Sequence, residues 1–107
     1  MFARSVAIRI KSNAVAEFNR MLERQILPLV QKQNYQGFRG ELTLVAQNGS
    51  EVVAISLWDR KEDAEAYHRA TYPDVQKLLS RVTERTPHVQ TYDVSTSTIY
   101  KAAAARA

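Results

Sequence analysis

Cysteine is absent from this 107-residue sequence. That one lack removes disulfide scaffolds, thiolate zinc or iron–sulfur sites and cysteine nucleophiles. Glycine and proline number three each, too few for a collagen-like or low-complexity chain. No apolar run approaches the roughly 20 residues that a membrane-spanning helix needs, so no membrane partner is expected. The opening Met1-Phe2-Ala3-Arg4-Ser5 has neither the apolar stretch nor the small-residue cleavage site of a signal peptide. A soluble cytoplasmic domain is the expectation. Charge of one sign is nowhere concentrated. The net charge is +4, from fifteen basic and eleven acidic residues, but the signs interleave, as in Arg60-Lys61-Glu62-Asp63. Mixed signs read as a solvated helix face rather than a nucleic-acid footprint. The two histidines stand apart without ligand spacing, and no metal site is expected.

What is present suffices for one domain with one core: 45% of the residues are hydrophobic and 24% charged. Over Phe2 to Ile10 the apolar residues alternate, with Val6, Ile8 and Ile10 on one face and Ala7, Arg9 and Lys11 on the other. Period two predicts a strand. Ser12 or Asn13 offers a cap for a helix whose stripe is Val15, Phe18, Leu22, Ile26 and Leu29. Pro28 falls inside that stripe and predicts a kink or an end near Leu27. Phe38 to Gln47 and Glu51 to Trp58 read as two strands joined at Asn48-Gly49-Ser50, a hairpin signal of the type I′ kind. Asp59 and Glu62 form a candidate capping pair for a second helix. Its face runs through Ala64, Tyr67 and Ala70, and Val75, Leu78, Leu79 and Val82 continue it beyond Pro73, which suits the first turn of a new segment. Val89 to Thr98 reads as the last strand, and the Ala-rich residues 99–107 as a flexible tail.

The order β-α-β-β-α-β specifies an α+β, ferredoxin-like domain over residues 1–98, with helices on one face of an antiparallel sheet. In the third strand, Val53, Ile55 and Leu57 are expected to pack against the helices. Val52, Ala54, Ser56 and Trp58, with Tyr92 and Val94 of the last strand, then form a mostly apolar second face. Such a face predicts burial against a second copy, hence a homodimer.

Three stretches carry a resemblance. They are Pro28 through Gly37-Phe38-Arg39-Gly40-Glu41, with Gln36 where a proline is common; Ser56-Leu57-Trp58-Asp59 followed by Glu62-Asp63-Ala64-Glu65-Ala66-Tyr67; and Pro87 with Val89 and Tyr92-Asp93-Val94. In these the chain resembles the antibiotic-biosynthesis-monooxygenase (ABM) family of the dimeric α/β-barrel superfamily. The resemblance implies a dimeric α/β barrel. It also implies a monooxygenase that oxidises a small aromatic or quinol-type substrate with molecular oxygen and no cofactor. The family's haem-degrading branch uses an Asn on the first strand, a Trp in the second helix and a later axial His. Tyr67 and Lys77 stand near those helix positions here, and no Asn precedes Asn13, so haem is not expected.

The candidate site follows from the aromatic and titratable residues around Pro73. Trp58 either packs the core or walls an aromatic-substrate pocket. Tyr67 and Tyr72 flank the Pro73 break, where a cleft against the sheet can open and their hydroxyls can orient a phenol. His68 is four residues before Tyr72 and shares its helix face. It is the candidate base for a phenolic proton, with a surface histidine as the plainer alternative. Arg39, like Arg9, alternates onto a sheet face and can hold an anionic oxygen. Catalysis is thus expected from His68 and Tyr67, and substrate binding from Trp58, Tyr72 and Arg39. A non-catalytic small-molecule-binding or structural dimer of the same fold is the alternative. RNA binding is a distant third. Gly37-Phe38-Arg39-Gly40 echoes an RNA-recognition consensus, but it precedes the second strand, and the third strand lacks stacking rings.

Overall fold

In strand β1 (Phe2–Arg9), Phe2, Arg4, Val6 and Ile8 are buried while the residues between them are not. The computed structural model describes residues 1–32 and 36–98. In it β1 lies inside a four-stranded antiparallel sheet of order β2-β3-β1-β4, with β2 at Phe38–Val45, β3 at Glu51–Trp58 and β4 at His88–Asp93. The element order is β-α-β-β-α-β and the class α+β. β4 stops at Asp93, short of the expected Thr98, and the expected tail, residues 99–107, falls outside the described residues.

The pairing register decides which side of the sheet meets the helices. Phe2 lies opposite Trp58, Arg4 opposite Ser56, Val6 opposite Ala54 and Ile8 opposite Val52. Trp58 and Val52 are fully buried among helix residues such as Phe18 and Tyr67. The face assignment drawn from sequence is therefore inverted. Val52, Ala54, Ser56 and Trp58 lie under the helices, and Val53, Ile55 and Leu57 lie on the opposite side. Both sets are apolar, so alternation alone could not choose between them. The indole, the largest ring in the chain, gains most by entering the core. The opposite side is apolar all the same: Leu42 and Leu44 of β2 and Tyr92 of β4 share it, exposed to 51%, 51% and 49%.

Helix α1 (Val15–Met21) passes through a wide π turn (Leu22–Ile26) into α2 (Leu27–Lys32). Leu27 N–H donates to the Leu22 carbonyl five residues back, one residue more than an α-turn spans. The break expected at Pro28 is thus a widening just before it. Pro28 has no N–H for an α-type bond, and its ring crowds the carbonyl four residues earlier, which an opened turn relieves. Helices α3 (Lys61–Ala70) and α4 (Tyr72–Leu79) meet at Thr71, with Pro73 in the first turn of α4. The expected Asp59 cap is not formed. Arg60 caps α3 without a side-chain bond, and Arg39 holds the Asp59 carboxylate.

Two glycines set the turns. In the β2–β3 hairpin only Gly49 has positive φ, so the turn is not of type I′. Gly49 N–H instead closes on the Ala46 carbonyl, and Asn48 is held by accepting from Ser50 N–H. Gly37 (φ +78°) leads into β2 so close to the Asp63 carboxylate that any Cβ there would overlap it. Its carbonyl accepts from Asp59 N–H at 2.8 Å, tying the start of β2 to the end of β3.

Candidate active site

Between the sheet and the helices lies a cavity of about 70 Å³. That is several times the roughly 10–15 Å³ that one water requires. Aliphatic side chains of β1, the π turn, α2, β3 and α4 form half of its lining, and Phe18, Phe38, Trp58, Tyr67 and Tyr72 supply rings. Trp58 anchors this aromatic side. Its ring meets Phe38 edge-on at 5.1 Å and Tyr67 at 5.5 Å, and its Nε1 donates to Ser56 Oγ at 2.9 Å.

The polar groups form one row across the sheet. Glu41 of β2 pairs with Ser56 of β3, and Ser56 pairs with Arg4 of β1; all three line the cavity. Neighbouring strands lie ~4.8 Å apart, so a carboxylate and a guanidinium are rooted roughly 10 Å from each other with a hydroxyl between them. Ser56 Oγ donates to the Arg4 carbonyl at 3.4 Å, and Glu41 Oε1 accepts from Thr43 Oγ1 at 2.6 Å.

Arg4 is the unusual member. It is only 4% exposed, yet no carboxylate lies within ion-pairing distance of it among the described residues. Its charge is instead met by π faces, with Cζ 4.3 Å from the Tyr72 ring centre and 5.3 Å from that of Tyr67. Burial lowers the Arg4 pKa, and the two tyrosines oppose the change. Its Nη2 donates to His68 Nδ1 at 3.0 Å. Because an arginine can only donate, His68 is neutral here with its own proton on Nε2. The His68 pKa is accordingly lowered, by partial burial first and then by Arg4 and Arg69.

Tyr72 stacks on His68 at 5.2 Å, and its buried hydroxyl finds no acceptor among the described residues. Arg4 covers the face of this ring and, being a donor only, cannot accept the hydroxyl proton. Burial raises the Tyr72 pKa, against the pull of Arg4, so the hydroxyl keeps its proton as a donor.

Of the residues singled out from sequence, the structure brings Trp58, Tyr67 and Tyr72 together around the cavity. His68 lies on the outer side of Tyr72, is exposed, and does not line it. Arg39 sits at the irregularity between Phe38 and Gly40, exposed and paired with both Asp59 oxygens at 2.6 and 2.7 Å, outside the lining. Sequence reasoning passed over Arg4, Glu41 and Ser56. For Arg4 a signal existed: it falls in phase with Val6 and Ile8, the buried side of β1. Glu41 likewise alternates with Leu42 and Leu44, but on an edge strand that phase does not announce a cavity. Among the described residues no group of three or more acidic or histidine side chains is arranged to hold a metal, and no helix is long and apolar enough to cross a membrane.

Comparison with known proteins places the fold. No family model matches the sequence, and no curated protein matches it. Solved structures do. A monooxygenase from the gene ActVA-Orf6 of Streptomyces coelicolor, in complex with the ligand nanaomycin D, superposes with a TM-score of 0.75 at 13% identity, over 90% of this chain and 88% of that one. SnoaB, a cofactor-independent oxygenase from Streptomyces nogalater, gives 0.73 at 14% identity, over 91% and 95% of the two chains. An antibiotic biosynthesis monooxygenase gives 0.70 at 15%, over 90% and 100%. The chain therefore has the ferredoxin-like fold of the antibiotic biosynthesis monooxygenases.

Proposed function

We propose that this chain is a cofactor-independent monooxygenase that oxidises a small aromatic, quinol-type molecule with molecular oxygen. The observation that carries the reading is the cavity itself. It has an aromatic side built around Trp58, and its floor row ends in a carboxylate. Structural neighbours that include a cofactor-independent oxygenase support it.

A planar ring would lie against Trp58, Phe38 and Tyr67, with its hydroxyl over Ser56. Glu41, the carboxylate of the lining, accepts the phenolic proton. Tyr67 and Tyr72 orient the oxygen. The anion passes one electron to oxygen, and the two radicals join at a ring carbon that bears a hydrogen. The peroxide anion formed there takes the proton back from Glu41, and the hydroperoxide loses water with the ring hydrogen and leaves a carbonyl. One oxygen atom enters the product, the other leaves as water, and the substrate supplies every electron. His68 acts on this site through Arg4, not on the substrate. Arg39 takes no part in the step, since Asp59 occupies its guanidinium.

The open sheet face supports assembly as a homodimer. A second copy would cover Leu42, Leu44, Ile55, Leu57 and Tyr92, an apolar surface that water disfavours.

The test is oxygen consumption by the purified protein against a panel of quinols and polyphenols, with product analysis. Uptake of one oxygen molecule per quinone formed is expected. Glu41→Gln is expected to lower the rate about 10²–10⁴-fold, as loss of a general base does. Binding of quinols with no oxygen uptake would establish the non-catalytic binding dimer instead.

A further inference from the structure

We infer that the cavity holds its ligand as an oxyanion, a phenolate or enolate, and that Arg4 is the residue that sets this preference. The inference rests on reading the cavity as the ligand site, and it names the charge state of what binds there.

Two observations converge on it. Arg4 is buried at 4% exposure, and among the described residues its charge is met by ring faces and a neutral imidazole and by no carboxylate. A buried cation without an anion is costly, and an anionic ligand removes that cost. Independently, the Tyr72 hydroxyl is buried with no acceptor among the described residues, although Tyr72 is only 5% exposed and lines the same cavity. A guanidinium short of an anion lies 4.3 Å from the centre of the ring whose hydroxyl is short of an acceptor, and one oxyanion can satisfy both. Glu41 does not fill the role from within. It stands two strands away, and its carboxylate accepts from Thr43. His68 is a positioning residue: by accepting from Nη2 it fixes the guanidinium while adding no negative charge that would compete with the ligand.

The experiment compares two planar probes that differ only in the para oxygen, para-nitrophenol at a pH where it is ionised and nitrobenzene, by calorimetric titration of the intact protein. Wild type is expected to bind the phenolate roughly 10–100-fold more tightly, the range of a hydrogen bond to a charged group. Arg4→Met is expected to abolish the preference while nitrobenzene binding persists. Arg4→Lys keeps the charge and is expected to keep part of the preference. Should Arg4→Met fail to fold, Tyr72→Phe serves, with a several-fold loss for the phenolate and none for nitrobenzene. Equal affinity for the two probes in wild type, no binding of either, or a preference that survives Arg4→Met would each overturn the inference. Oxygen uptake plays no part in the titration, so failure of turnover and failure of anion selection are separately visible.

Discussion

Arg4 and His68, sixty-four positions apart in sequence, are joined by one hydrogen bond of 3.0 Å from the Arg4 guanidinium to His68 Nδ1. The bond ties the floor of the cavity to the outer face of α3. It exists only while the imidazole is neutral, since a protonated ring has no lone pair to offer.

That condition gives stability a pH dependence with a definite sign. The folded-state pKa of His68 lies below the ordinary 6.5, so between the two values the unfolded chain binds the extra proton. The contribution is complete above about pH 6.5 and is lost as pH falls from there toward the lowered pKa. His68→Gln keeps an acceptor for Arg4 and does not titrate. Melting temperatures measured from pH 7.5 downward are expected to fall faster for wild type than for His68→Gln once pH 6.5 is passed. Parallel curves would remove His68 from the linkage.

Gly37 carries a second prediction. Its φ of +78° and the Asp63 carboxylate against its missing side chain make Gly37→Ala costly twice over. The left-handed backbone alone costs a non-glycine residue about 1–2 kcal/mol, and the overlap adds to it. At Gly49 (φ +74°) an added Cβ meets Val15 at an ordinary 3.7 Å, so Gly49→Ala shows the backbone cost by itself. Urea denaturation is expected to rank Gly37→Ala below Gly49→Ala, with both below wild type. Equal losses would mean that Asp63 swings aside freely.

Tyr72→Phe is expected to act in opposite directions on stability and on binding. Leaving a hydroxyl buried and unpaired costs about 1–3 kcal/mol, so its removal should leave the free protein as stable as wild type or more so by about 1 kcal/mol. A loss of stability beyond about 1 kcal/mol would show that the hydroxyl has a partner in solution.

The open sheet face is tested by charge. Leu57→Arg places a cation among Leu42, Leu44, Ile55 and Tyr92 without entering the cavity, because β3 turns Leu57 away from the helices. In a dimer formed through this face an unpaired buried charge costs several kcal/mol. Sedimentation at micromolar concentration is expected to show a dimer for wild type and a folded monomer for Leu57→Arg. A wild-type monomer would end the proposal. Ala54→Arg is a different experiment, since Ala54 lines the cavity.

The element order was legible because strand and helix periods are distinct and the breaks carry glycine, proline or asparagine. Trp58, Tyr67 and Tyr72 were legible as a group because one helix break and one strand end gather the chain's rings. The inside of β3 was not legible. Val52, Ala54, Ser56 and Trp58 differ from Val53, Ile55 and Leu57 by one step along the chain, and both sets suit a core. Pairing to β1 resolves the choice, and pairing is a long-range fact that alternation does not contain. The ordinary pKa of a histidine suits a base, and that is all the sequence offers for His68. Its position behind Tyr72, and the bond that occupies Nδ1, depend on where α3 crosses β1, which no local pattern specifies.

The π turn lets the helix carry one residue more than the cavity requires. Leu22 and Ile26 line the cavity from that turn, and Leu27 from the residue after it. Deleting Glu23 would put Leu27 four residues after Leu22, so the same Leu27 N–H would close an α-turn on the same carbonyl. Ile26 and Leu27 would keep nearly their azimuths, because five residues of a π turn and four of an α-turn advance the chain by similar angles. A single codon gained or lost there is absorbed by the turn and leaves that wall of the chamber standing.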